Sequence, residues 1–160
     1  MSAVDDLFSL EGRRALVTGS SRGIGRALAL GAAGADVAVH YAGRAAAAEA
    51  VADEIRNLGR QSVVFGCDLS DREAVARLNR RVEETFGSLD ILVANASVQC
   101  RRDWHEIPAE ECALQLATNF EATLSLMQQV IPGMRERGWG RFITVGSVQQ
   151  RKPHPQMAVY

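Results

Sequence analysis

The segment Thr18-Gly19-Ser20-Ser21-Arg22-Gly23-Ile24-Gly25 is where residue type and spacing point most directly to chemistry. Glycine permits a tight turn and lets backbone approach a ligand closely. The segment follows a β-rich run, Ala15-Leu16-Val17-Thr18, and leads into a helical pattern opening Arg26-Ala27-Leu28. A helix N-terminus presents about half a positive charge and unpaired N–H donors, a setting suited to a pyrophosphate. Three glycines alone are a weak signal, but between a first strand and a helix they form a dinucleotide fingerprint. Gly19, Ser21, Arg22, Gly23, Ile24 and Gly25 are therefore candidate cofactor-binding residues. The competing interpretation is a purely structural strand-to-helix turn.

The end of the second strand, Val37-Ala38-Val39-His40-Tyr41-Ala42-Gly43-Arg44, bears on which dinucleotide binds. An NAD site expects an acidic residue about 20 positions beyond the glycines, to hold the ribose hydroxyls. None stands here. Arg22 and Arg44 can instead meet a 2′-phosphate through charge-assisted hydrogen bonds, with Tyr41 beside them. The expectation is NADP rather than NAD. Two solvated arginines are the alternative.

These residues need a scaffold to hold them. Short apolar runs at 15–18, 37–39, 62–65, 89–93 and 141–145 alternate with helical periodicities. Val51, Ile55 and Leu58 share one helix face, and Val75, Leu78, Val82 and Phe86 another. A long helix is expected over about 109–137, burying Leu114, Phe120, Leu124, Met127 and Ile131, with Pro132 bending its last third. Ser70 and Glu73 have the spacing of a capping box, and Pro108 suits a first turn. Gly59, Gly87 and Gly138 fall where helices should stop. The order βαβαβαβαβ requires parallel strands joined by right-handed crossovers. Near-continuous apolar strands fit a sheet covered on both faces. The expected fold is α/β, a Rossmann-type doubly wound parallel sheet. In such sheets ligands bind beyond the carboxyl ends of the strands. Here that means just after Val17, Phe65, Val93 and Val145.

Composition narrows the function classes. Eighteen basic residues against nineteen acidic leave a net charge of -1, so the basic excess of a nucleic-acid binder is missing. No apolar run approaches the roughly 20 residues of a membrane span. The acidic start lacks the order of a secretory signal. Cys67, Cys100 and Cys112 are odd in number and scattered, indicating neither a disulfide framework nor a zinc site. No metal is expected, and a cytoplasmic, reducing location is the simplest expectation.

Together with the glycine loop, Asp68-Leu69, Asn95-Ala96-Ser97, Asn119, Ser147 and Tyr160 make this sequence resemble the short-chain dehydrogenase/reductase family from about residue 10 to its last residue. The resemblance implies an NAD(P)-dependent oxidoreductase exchanging a hydride with a small alcohol or carbonyl substrate, sugar-acid or polyol-like compounds among the candidates. It implies that Asp68 bonds the adenine with Leu69 beside it, and that Asn95 supports the loop. Ala96 and Ser97 line the cofactor's path, with Ser97 standing where the family commonly has glycine. It assigns Tyr160 as general acid/base, Ser147 as the group bonding the substrate oxygen, and Asn119 as the holder of a relay water. Ser147 lies 13 positions before Tyr160, a spacing typical of the family.

Two departures stand out. The helix after Gly25 is about two residues shorter than the family usually shows, so an early stop near Gly31 and Gly34 is expected. The family continues Tyr-x-x-x-Lys, whereas this sequence ends at Tyr160. The expectation is one dinucleotide-binding domain over 1–160, incomplete on its C-terminal side and part of a longer chain that forms a homo-oligomer. The alternative is a non-catalytic NADP-binding fragment or subunit lacking the active-site Lys. An intact mass above that of 160 residues would separate the two.

Overall fold

In the computed structural model, residues 8–160 apart from Ala33 are described. Five strands, β1 (Arg14–Val17), β2 (Asp36–Tyr41), β3 (Ser62–Gly66), β4 (Ile91–Ala94) and β5 (Arg141–Thr144), form one sheet in the order β3-β2-β1-β4-β5. Every pairing is parallel. The chain steps outward from β1 to β3, then returns to the other side of β1 for β4. That reversal is the switch point at which a doubly wound sheet opens a crevice.

The connecting helices are α1 (Gly23–Leu30), α2 (Ala45–Asn57), α3 (Arg72–Phe86), α4 (Ala109–Leu116) and α5 (Ala122–Glu136). Two apolar clusters cover the two faces of the sheet. Val17, Val37, Val39 and Val93 pack with Ala29 of α1 and with Ala48, Val51 and Ile55 of α2. Leu16, Phe65 and Leu92 pack on the opposite face with Leu78 and Val82 of α3 and Leu126 and Val130 of α5. Alternate residues of β1 thus enter opposite clusters, which explains its unbroken apolar run. A fully buried aliphatic side chain contributes about 1.5–3 kcal/mol.

Several local expectations hold. Gly59, Gly87 and Gly138 all take positive φ just beyond helix ends. Helix α1 stops early, at Leu30, with the Gly31 N–H bonded to Ala27 O. Ala33, in the segment that follows, lies outside the described residues.

Three expectations are corrected. The cap of α3 is Asp71, not Ser70: its carboxylate accepts from the N–H groups of Glu73 and Ala74. Ser70 turns the other way, to Asp68. Both residues are good caps, and Asp71 sits one place closer to the first free amides. The long helix is interrupted by a π turn at Ala117–Glu121, while it continues through Pro132 to Glu136. Its buried face is Gln115, Thr118, Ala122, Leu126, Val130 and Met134. Of the stripe expected to be buried, Leu114 and Phe120 are exposed, Phe120 at 63%, and Leu124, Met127 and Ile131 are half-buried. This segment carries two apolar stripes. The stripe through Ala122, Leu126, Val130 and Met134 faces the sheet, and the stripe through Leu124, Met127 and Ile131 lies at its margin, half-buried.

β5 is one of the two edge strands, β3 being the other, and its Ile143 and the following Val145 are exposed. Among the described residues no helix is long and apolar enough to cross a membrane. None of their His, Cys, Asp and Glu side chains gather in threes as a metal site would require.

Candidate active site

The loop after β1 is held by hydrogen bonds from two neighbouring strands. Thr18, almost fully buried, donates its hydroxyl to Val93 O and accepts the N–H groups of Asn95 at 2.9 Å and Ala96 at 3.0 Å. Asn95 Nδ2 answers by donating to Thr18 O at 2.9 Å and Gly19 O at 3.3 Å. The ends of β1 and β4 are thereby locked together. On the other side, Ser20 Oγ donates to Val17 O at 2.7 Å and accepts the His40 N–H at 3.0 Å. The Ser20 N–H in turn donates to His40 O.

Two glycines are required by this arrangement. Gly19 has φ +66°, and a Cβ there would stand 2.9 Å from Ala96 Cα. Gly25, at the start of α1, packs so closely on the loop that a Cβ would stand 2.5 Å from Asn95 Nδ2. Close packing of the helix start against the loop aims the free amides of α1 into the cleft. No acidic side chain lies in the first turn of α1, so its positive end is left for an anion.

The resulting cleft, about 450 Å³, contains every expected cofactor-binding residue. Gly19, Ser21, Arg22, Gly23, Ile24 and Gly25 form its floor. Tyr41 and Arg44 come from the end of β2, Asp68 and Leu69 from beyond β3, and Asn95, Ala96 and Ser97 from beyond β4. Arg22 and Arg44 are exposed, each at the N-cap of a helix, with no side-chain cap bond. Asp68 Oδ1 accepts both the N–H and the hydroxyl of Ser70. These two bonds hold the carboxyl below its ordinary range, so Asp68 stays an acceptor at neutral pH.

A second cavity of about 260 Å³ adjoins the first, sharing Ala96 and Ser97 with it. Asn119, Ser147 and Tyr160 all line it, with Thr144, Gly146, Gln149 and Gln150. Ser147 follows β5 and caps a short 3₁₀ turn, its hydroxyl accepting the Gln149 N–H at 3.2 Å. Asn119 lies in the π turn. Its Oδ1 accepts the Val98 N–H at 2.8 Å and its Nδ2 donates to Val98 O at 2.9 Å. The side chain therefore clamps the strand extension that carries Ala96 and Ser97.

Sequence reasoning missed three residues that shape this site. Thr18 and Ser20 are buried hydroxyls inside the loop, and His40 is a buried imidazole at the end of β2. A histidine within an apolar strand, next to the carboxyl edge where ligands bind, was the available signal.

A parallel sheet reversing at β1, with a glycine loop at the reversal, defines the Rossmann-type class. The short chain dehydrogenase family matches residues 13–160, and the chain belongs to that family. It is 36% identical over 150 residues to a 3-oxoacyl-[acyl-carrier-protein] reductase of Staphylococcus aureus, covering 92% of this chain and 61% of the relative. It is 38% identical over 160 residues to a gluconate 5-dehydrogenase of Gluconobacter oxydans, covering 97% and 61%. A crystal structure of a 3-oxoacyl (acyl-carrier-protein) reductase from Agrobacterium tumefaciens with NADP bound superposes with a TM-score of 0.92 at 38% identity, covering 98% and 61%. The chain thus spans about three fifths of the length of the relatives it matches.

Proposed function

We propose that this chain forms the cofactor-binding and catalytic-centre portion of an NADP(H)-dependent oxidoreductase that interconverts a small alcohol and its carbonyl compound. The observation that carries this reading is the junction of the two cavities at Ala96 and Ser97. A dinucleotide lying along the first would present its nicotinamide end to the second, where Ser147 and Tyr160 stand. The residues fit such a cofactor: a helix start without acidic side chains, glycine backbone with no room for a Cβ, and an ionised Asp68 at the opposite end.

When bound, a nicotinamide cofactor supplies or accepts a hydride at its ring carbon 4. The protein's own residues do the rest. The amides at the start of α1 bind the pyrophosphate, and Asp68 accepts from the adenine amine. Arg22 and Arg44 bind the 2′-phosphate, which supports NADP over NAD. The Ser147 hydroxyl bonds the substrate oxygen and stabilises its developing charge. Tyr160 gives that oxygen a proton in reduction and takes it back in oxidation. Both polar atoms of the Asn119 side chain are bonded to Val98, so the side chain holds the segment that carries Ala96 and Ser97. The polar lining from Gln149 and Gln150 supports a hydroxylated substrate, of the sugar-acid or polyol kind, over a purely apolar one.

Isothermal titration of the chain with NADPH and NADH tests the cofactor reading. Tighter NADPH binding is expected, with Arg44→Ala weakening NADPH about tenfold or more and leaving NADH unchanged. Equal or tighter NADH binding would reject the NADP preference. In the complete protein, Tyr160→Phe is expected to lower kcat about 10²–10⁴-fold while the NADPH Kd holds.

A further inference from the structure

His40 is a buried ionisable group for which the proposed reaction has no use. It is 1% exposed, and its imidazole spans two segments. Nδ1 accepts the backbone N–H of Gly19 at 2.9 Å. Nε2 lies 3.0 Å from the carbonyl oxygen of Cys67. A carbonyl oxygen only accepts and a backbone N–H only donates, so one protonation state satisfies both contacts: the neutral ring with its proton on Nε2. The main chain of His40 is bonded on both sides to Ser20 as well. The imidazole thus ties the first glycine of the phosphate loop to the end of β3.

A second proton would have to go on Nδ1, placing an N–H against the N–H of Gly19. Neither group could then accept the other, and the contact would become repulsive. The loop has little room to yield. Gly19 is pressed on Ala96, and its carbonyl is held by Asn95. Any displacement of Gly19 therefore strains the Thr18–Asn95 lock and the seat of α1.

We propose that His40 is a positioning residue for the cofactor: as a neutral ring it holds the Gly19 amide and with it the phosphate loop, and in mildly acidic solution its protonation releases the loop and weakens dinucleotide binding. This rests on reading the cleft as a dinucleotide site. An unperturbed histidine changes charge between pH 5 and 8, and burial moves His40 to the acid side. The charged and titratable groups around it are Arg22 of the loop, Tyr41 and Arg44 beyond β2, and Cys67 and Asp68 beyond β3. Burial pushes the Cys67 thiol up to about 11, and Asp68 is held low by Ser70, so neither changes charge in that window. Burial also lowers the pKa of His40, more than its bond to the Cys67 carbonyl raises it.

The test uses two readouts. ¹⁵N NMR of the cofactor-free protein reports the tautomer and titration of His40. The Nε2–H form is expected at pH 8, and an Nδ1–H form would overturn the proposal. The second readout is the NADPH Kd from pH 8 to pH 5 for wild type, His40→Asn and His40→Leu. Asparagine can place a carbonyl oxygen where Nδ1 stands and cannot take up a proton. The wild-type Kd is expected to rise toward tenfold per pH unit below the NMR titration point, relative to His40→Asn at the same pH. That ratio cancels the titration of the 2′-phosphate itself. His40→Leu is expected to bind at least tenfold more weakly at every pH. Coincident pH curves for wild type and His40→Asn would overturn the proposal. If no form binds NADPH or NADH at pH 8, the cofactor reading fails instead, and NMR still judges the tautomer on which the brace depends.

Discussion

The proposed cofactor cleft and the adjoining cavity lined by Ser147 and Tyr160 are built differently. Around the cleft, strand ends are buried and cross-tied: Thr18, Ser20, His40 and Asn95 join β1 to both of its neighbours with bonds of 2.7–3.3 Å. Around the second cavity, β5 and the turns after it are largely exposed, and among the described residues Ser147 bonds only within its own turn, its hydroxyl to the Gln149 N–H and its carbonyl to the Gln150 N–H. A central strand with neighbours on both sides and helices on both faces fixes its loop rigidly. An edge strand fixes its loop only from one side. Within these residues the first cleft is more firmly cross-tied than the second cavity.

Substitutions should separate the two regions. The largest effect is expected at the centre. Leu92→Ala, at a fully buried position in β4, should destabilise the chain by about 2–5 kcal/mol in urea unfolding. Ile143→Ala in β5, where the side chain is 48% exposed, should cost well under half as much. Similar losses at the two positions would erase the contrast. Next comes Thr18→Val, which keeps the shape and leaves the Asn95 and Ala96 amides without their acceptor. A loss of about 1–3 kcal/mol is expected, with NADPH binding weakened in parallel. A loss within experimental error would show that the lock between β1 and β4 is dispensable.

Acid sensitivity sharpens the same comparison. The folded chain holds His40 below its ordinary value of 6.5, so the unfolded chain binds the proton more readily. His40's contribution to stability is therefore complete above about pH 6.5, and falls as pH drops from there through the folded value. Urea midpoints measured from pH 8 to pH 5 should decline for wild type and decline less for His40→Asn. Parallel declines would place the acid sensitivity elsewhere. The smallest effect is at the cap of α3. Asp71→Ala should cost about 1 kcal/mol and Ser70→Ala less, as judged by thermal midpoints. The reverse order would restore Ser70 as the cap.

Much of the cleft was legible in the sequence because its signals are local. The glycine spacing, the β-rich run before it and the helix after it sit within one short stretch. The alternation of elements then implied a parallel sheet, and the carboxyl-edge rule placed Asp68, Asn95 and Ser147 near the loop. The long helix was harder to read. Its two apolar stripes each satisfy helical periodicity, so the pattern alone could not choose which one faces the sheet. The π turn at 117–121, which lets Asn119 reach Val98, leaves no mark in apolar spacing. At the start of α3, Ser70 and Asp71 are adjacent capable caps, and Asp68 decided between them by engaging Ser70.

From the sequence alone came the class of fold and the glycine loop, since both are written in short-range spacing and strand-helix order; the roles proposed for Ser147 and Tyr160 came from the family resemblance. Which helix face is buried and how the His40 imidazole is bonded were decided only by tertiary structure, whereas the cap of α3 was settled by bonds between residues two or three apart. The physical reason is the same for the first two. Each depends on hydrogen bonds or packing between segments that are distant in the chain, as with the imidazole of His40, whose partners lie 21 residues before it and 27 residues after it.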